Sequence, residues 1–159
     1  MTQSIISLNQ MSLTAIRRLF TNLDPPETSS LTGIFRGIFV GPGWLRQVWG
    51  PLLTVTGLGG WWGKEFDAQG NAINLVLRKG RCERRFPMMI VHQASHLDRK
   101  SGLALRYRAD NPFPWPFIVD ELRRIDSMTV LGMTLADIGP FQRMAFPFTL
   151  QSREMVDGL

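Results

Sequence analysis

The chain of 159 residues is poor in several things at once, and each shortage narrows what it can be. It has one cysteine, Cys82, which excludes an intrachain disulfide and any cysteine-based zinc cluster. It has two histidines and one tyrosine, so few side chains are suited to proton transfer near neutral pH. Charged residues make up 19%, below the usual quarter. No run approaches the roughly 18 apolar residues of a membrane span. No basic start leads into the apolar stretch of a secretory leader, so the expected compartment is the cytoplasm. Nucleophile elbow, phosphate-binding loop, paired CxxC and dinucleotide fingerprint are all missing, and no cofactor is expected. Gly57-Leu58-Gly59-Gly60 is glycine-rich, but it is read as preceding a strand and lacks the helix N-terminus that holds a phosphate.

The basic excess is unusual in kind. Eighteen basic against 13 acidic residues give a net charge of +5, and only Lys64, Lys79 and Lys100 are lysines. The arginines come in scattered pairs beside apolar or acidic neighbours, not in the single tract that follows a phosphate backbone. Nucleic acid is therefore a subordinate alternative. Docking of an N-terminal helix and the arginine pairs to anionic lipid is a third option, and it predicts salt-sensitive binding.

What is present is a core. Leu, Ile, Val and Phe number 47, well above the level at which disorder is expected. Twenty-five Gly and Pro residues cut the chain into short pieces, which suits strands and turns. Residues 12–23 place Leu13, Ile16, Leu19, Phe20 and Leu23 at helical spacing behind a Ser12 cap, and Asp24-Pro25-Pro26 ends that helix. Residues 44–49 suggest one helical turn. Strands are expected at 32–40, 52–56, 61–66, 72–78, 82–86, 88–97, 103–108, 117–126, 129–135 and 146–153, the 117–126 segment also being readable as a short helix. Nine or so strands at about 8–12 residue spacing predict a mainly β fold. The form expected is a single antiparallel lipocalin-like (calycin-type) β-barrel with a short N-terminal helix. Residues 1–30 would pack on a barrel of residues 31–159.

Candidate chemistry is sparse. His92 and His96 share a strand face but stand roughly 13 Å apart along a straight strand, so no metal site is expected. His92 is a candidate general acid or base, with Tyr107 or Arg106 as donor to a developing oxyanion and Asp120 as orienting group. Arg106 and Arg108 share one face, and if it is the inner one they would anchor an anionic head group. The register leaves open which face that is. A buried His92 beside Arg106 would then act as a neutral hydrogen-bond partner. Asp120 and Glu121, being adjacent, must face opposite ways. Five Trp, ten Phe and eight Met exceed what a core of this size needs, and they suit a cavity for a flat or greasy molecule. Phe35, Trp61, Trp62, Met88 and Trp115 are the candidate wall residues.

Two segments resemble a known family. Gly33-Ile34-Phe35-Arg36-Gly37 is similar to the signature of the family named for its GXWXG motif, with Phe35 where that family has Trp. Gly60-Trp61-Trp62-Gly63-Lys64-Glu65-Phe66 resembles its second block. Pro116-Phe117-Ile118-Val119-Asp120 and Thr129-Val130-Leu131-Gly132-Met133 resemble the companion domain of unknown function, with Asp120 and Gly132 on matching positions. The resemblance spans most of residues 31–153 and implies a lipocalin-type barrel more than it implies a function.

The function expected is binding of a hydrophobic small molecule, anionic or carbonyl-bearing, in a barrel lumen. The alternative is a cofactor-independent isomerase, cyclase or lyase in the same lumen. The sequence does not fix the oligomeric state, and a homodimer is compatible with it.

Overall fold

The structure, a computed structural model, describes residues 5–140 and 144–153. The ends of the two segments expected from sequence, residues 1–4 and 154–159, lie outside the described residues. Eight antiparallel strands close into one barrel in sequential order: β1 (Gly33–Phe39), β2 (Trp61–Phe66), β3 (Asn71–Arg78), β4 (Arg81–Ala94), β5 (Ser101–Tyr107), β6 (Ile118–Arg124), β7 (Thr129–Ala136) and β8 (Phe146–Arg153). Closure comes from β1 pairing with β8, Phe39 opposite Phe148, so no strand edge is left to recruit another chain.

Two expected strands, 82–86 and 88–97, are one long strand, β4, running to Ala94. It continues through Pro87 because proline is tolerated where its missing N–H is not needed. Lys79 and Gly80, both at positive φ, make the tight β3–β4 turn.

The largest correction is at residues 44–56. The expected single turn and the expected strand at 52–56 together form one 14-residue helix, α3 (Gly43–Thr56). Gly50, Pro51 and four β-branched residues argue locally against it. Tertiary packing decides instead: Leu45, Trp49 and Leu53, spaced by four, are buried. Gly57 then ends the helix at φ 94°, its N–H bonded to the Leu53 and Thr54 carbonyls.

The chain begins with α1 (Ile5–Gln10), which has no counterpart in the sequence reading, and α2 (Leu13–Asn22), whose Ser12 side chain accepts from the Ala15 N–H. Leu8, Ile16 and Phe20 pack with Leu131, Met133 and Leu135 of β7 in a second core on the outer wall. The principal core fills the barrel itself, and into it point alternate residues of every strand. No helix among the described residues is long and apolar enough to cross a membrane.

Candidate functional site

Inside this apolar lumen lies one buried cation. Lys64, on β2 with the same parity as Phe66, is 2% exposed. Its ammonium meets the Asp120 carboxylate of β6 at 3.0 Å. It also donates to Asn74 Oδ1 of β3 at 2.8 Å and lies 3.5 Å from the Met88 sulfur. Three rings, Trp61, Tyr107 and Phe148, stand 5.7–5.8 Å from Nζ.

Each partner is itself fixed. Asp120 accepts from the Thr134 hydroxyl of β7 at 2.7 Å. The Asn74 carbonyl also accepts the Trp61 indole N–H at 3.0 Å, while its amide donates to the Tyr107 oxygen at 2.9 Å. Six side chains from β2, β3, β5, β6 and β7 thus form one network around Nζ. Such a network is stable in a low-dielectric interior because every charged atom finds a partner.

Two glycines make room for the rings. A Cβ on Gly37 would stand 2.2 Å from the Trp61 ring, and one on Gly132 would stand 2.2 Å from the Phe148 ring. Gly37 of β1 therefore seats the Trp61 ring of β2.

Electrostatics follow from burial. Desolvation lowers the Lys64 ammonium below its ordinary value, against the opposing attraction and hydrogen bond of Asp120. Burial and the neighbouring Asp120 charge raise the Tyr107 phenol well above its ordinary value, outweighing the Asn74 hydrogen bond. Tyr107 therefore stays a phenol, and since its oxygen accepts from Asn74, its own O–H is left to donate. Lysine and aspartate cancel, so the floor of the lumen is polar yet carries no net charge.

Space is arranged in two levels. Beside Lys64 a void of about 30 Å³ has room for little more than a water or a carbonyl group. Above it, under α3, an apolar chamber of about 320 Å³ lies among Trp49, Leu53, Trp115, Ile118, Met144 and Phe146. Trp49, Leu53, Trp115 and Thr134 wall both spaces. Leu52 and Met144, 39% and 50% exposed, border the chamber on its solvent side. The Trp115 indole is held by the Thr56 carbonyl at the end of α3. The Trp49 indole N–H, by contrast, is buried and has no hydrogen-bond partner among the described residues.

The structure distributes the residues singled out from sequence unevenly. Asp120 and Tyr107 meet in the lumen, with Met88, Trp61 and Phe35 on the inner face and Trp115 at the chamber. Trp62 faces outward and stacks with the Arg36 guanidinium at 5.0 Å. His92 is not buried beside an arginine. It sits opposite Leu103 on β5, exposed, with Thr28 3.5 Å away. Arg106 pairs with Met89 on the outer wall, where it binds Gln93 and Asp137, and Arg108 is an exposed partner of Asp110. Neither arginine reaches the lumen, so the anchoring role considered for them has no geometric basis. His96 lies outside as well, between Glu121 and Asp137. Among the described residues no cluster is arranged to hold a metal ion.

Lys64, Asn74 and Thr134 are the site residues that sequence reasoning missed. A signal existed for the first: Lys64 is one of three lysines and shares strand parity with the apolar Phe66.

A crystal structure of a protein from Thermomonospora curvata matches the barrel with a TM-score of 0.69, over 90% of this chain and 88% of that one, at 19% identity. That likeness shows the fold. No family model matches the chain, and no curated protein does.

Proposed function

We propose that this protein binds a hydrophobic small molecule whose body fills the chamber under α3 and whose neutral polar end, a carbonyl, reaches the Lys64–Asp120 floor. The observation that carries the reading is the junction itself: an apolar chamber of about 320 Å³ sharing walls with a void beside a buried ion pair. That volume lies at the lower end of ordinary ligand pockets. An anionic ligand fits less well, because Asp120 already neutralises Lys64 and the arginines are outside. Two unused donors suit a carbonyl oxygen, the Tyr107 O–H and the unpartnered Trp49 N–H.

Titration of tryptophan fluorescence and melting temperature with a panel of aldehydes, ketones and fatty acids tests this. Neutral carbonyl compounds are expected to quench fluorescence and raise the melting temperature more than the matching acids. No response to any of them, or a response to the acids alone, refutes the reading.

The family resemblance is proposed on the same footing. Its two blocks are β1 and β2, paired with Phe35 opposite Lys64. A Phe35→Trp variant, restoring the family's residue, is expected to fold with an unchanged melting temperature, and loss of folding counts against the relationship.

A further inference from the structure

We infer that Lys64 condenses reversibly with an aldehyde or ketone ligand to form an iminium, with Asp120 as proton carrier and counter-ion. The inference rests on the ligand-binding reading above and goes beyond it by naming a covalent step.

Hydrogen bonding around Nζ is what points to it. The ammonium has three N–H groups, directed at Asp120, Asn74 and the Met88 sulfur. An iminium keeps one N–H, which stays on Asp120 at the present 3.0 Å. The Asn74 carbonyl loses Lys64 but retains the Trp61 indole N–H. Condensation therefore strands no strong buried acceptor, as a buried site requires. The product also carries the same single positive charge beside the same carboxylate and the same three rings.

The step balances. Asp120 takes one proton from the ammonium, freeing the nitrogen lone pair, which bonds to the carbonyl carbon. The carbonyl π electrons move to oxygen, which takes a second nitrogen proton to give a carbinolamine, and the Tyr107 O–H hydrogen-bonds to that oxygen as its charge develops. Asp120 then returns its proton to the hydroxyl, the C–O bond breaks, and water leaves. One iminium and one water replace one ammonium and one carbonyl, with no oxidant or reductant.

Chemistry and access favour Lys64 over the other two lysines. Desolvation lowers its pKa, and each unit of lowering multiplies the free-amine fraction near neutral pH about tenfold. Lys79 sits in an exposed turn, and exposed Lys100 donates to the Thr21 carbonyl. The void next to Nζ is of carbonyl size, with the ligand body left in the chamber above.

Reductive trapping tests the inference on the intact wild-type protein. The protein is incubated near pH 7 with naphthaldehyde or decanal, then with sodium cyanoborohydride, and adducts are located by intact mass and peptide mapping. With only three lysines, Lys79 and Lys100 serve as internal controls. We expect at least about tenfold more adduct on Lys64 than on either, because the chamber holds the aldehyde against Nζ and raises its local concentration there. Lys64→Arg, which keeps the charge opposite Asp120 but cannot condense, should abolish the preferential adduct. Equal labelling of the three lysines, or an adduct yield unchanged in Lys64→Arg, overturns the inference. If both aldehydes quench tryptophan fluorescence and raise the melting temperature yet leave Lys64 unlabelled, the iminium is refuted while the binding reading stands. If neither aldehyde binds by any readout, both fall.

Discussion

Replacing Asp120 by Asn removes one charge from the lumen and almost nothing else. The new side chain can still accept from Thr134, but its amide now faces the Lys64 ammonium at the 3.0 Å once held by the carboxylate. An uncompensated ammonium at 2% exposure is expected to give up its proton rather than remain charged. Holding Lys64 neutral near pH 7, against an unfolded-state value of 10.5, costs about 5 kcal/mol at about 1.4 kcal/mol per unit. That agrees with the roughly 3–5 kcal/mol found when one partner of a buried pair is removed. The pH dependence is more telling than the size. In the variant the unfolded chain binds one more proton than the folded one up to the unfolded pKa. Stability relative to wild type should therefore recover as pH rises, with about 2 kcal/mol of loss left near pH 9. Lys64→Met should show the opposite slope. It leaves Asp120 buried without a countercharge, and the roughly 4 kcal/mol needed near pH 7 to keep a carboxyl protonated shrinks as pH falls. Urea denaturation of the wild type and both variants across this range measures the slopes. Parallel curves, or a loss under about 1 kcal/mol in both, would show that the pair is effectively solvated and would refute the argument.

Three further predictions follow from other parts of the barrel. Tyr107 is the single tyrosine, so ultraviolet absorbance of tyrosinate reports it alone. Its midpoint in the folded protein should lie above the ordinary value of about 10 and return there in denaturant, and folding stability should fall as pH rises past about 10. Gly132→Ala should destabilise by about 1–3 kcal/mol, since its Cβ would stand 2.2 Å from the Phe148 ring. Gly50→Ala, in open space on α3, should stabilise by roughly 0.5–1 kcal/mol, and equal melting temperatures for the two variants would contradict the proposed seating of the ring. The Asp137 carboxyl, though burial raises its pKa, is held below its ordinary value by the hydrogen bond from Arg106 and by His96. Its contribution is present above the ordinary carboxylate range and lost as pH falls through the depressed value. Asp137→Asn should thus cost about 1 kcal/mol near neutral pH and nothing in strong acid, as urea titrations at both would show.

Sequence alone determined the alternation of strands and turns, hence the barrel, because period-two burial and glycine-marked turns are local properties of the chain. It determined that Asp120 and Glu121 diverge, one reaching Lys64 inside and the other His96 outside, because adjacent strand residues face opposite ways. It also gave α2 its start, since a serine cap is a contact across three residues. Tertiary structure alone decided α3, whose local preferences run against a helix and whose apolar stripe has meaning only over a barrel mouth. Tertiary structure likewise decided which face of β4 and β5 points inward, which a one-residue change of register would have reversed. Arg106 went to the outer wall for that reason, whereas His92, opposite the inward-facing Leu103, has the inner parity of Met88 and Ile90 and is nonetheless exposed, beside Thr28. Asp120 and Tyr107 were legible as candidates, but the network that joins them to Lys64 was not. Lys64, Asn74, Tyr107, Asp120 and Thr134 come from five different strands, and only closure of the sheet sets their polar atoms within 3.0 Å of a neighbour in one dry network, a proximity that no spacing along the chain records.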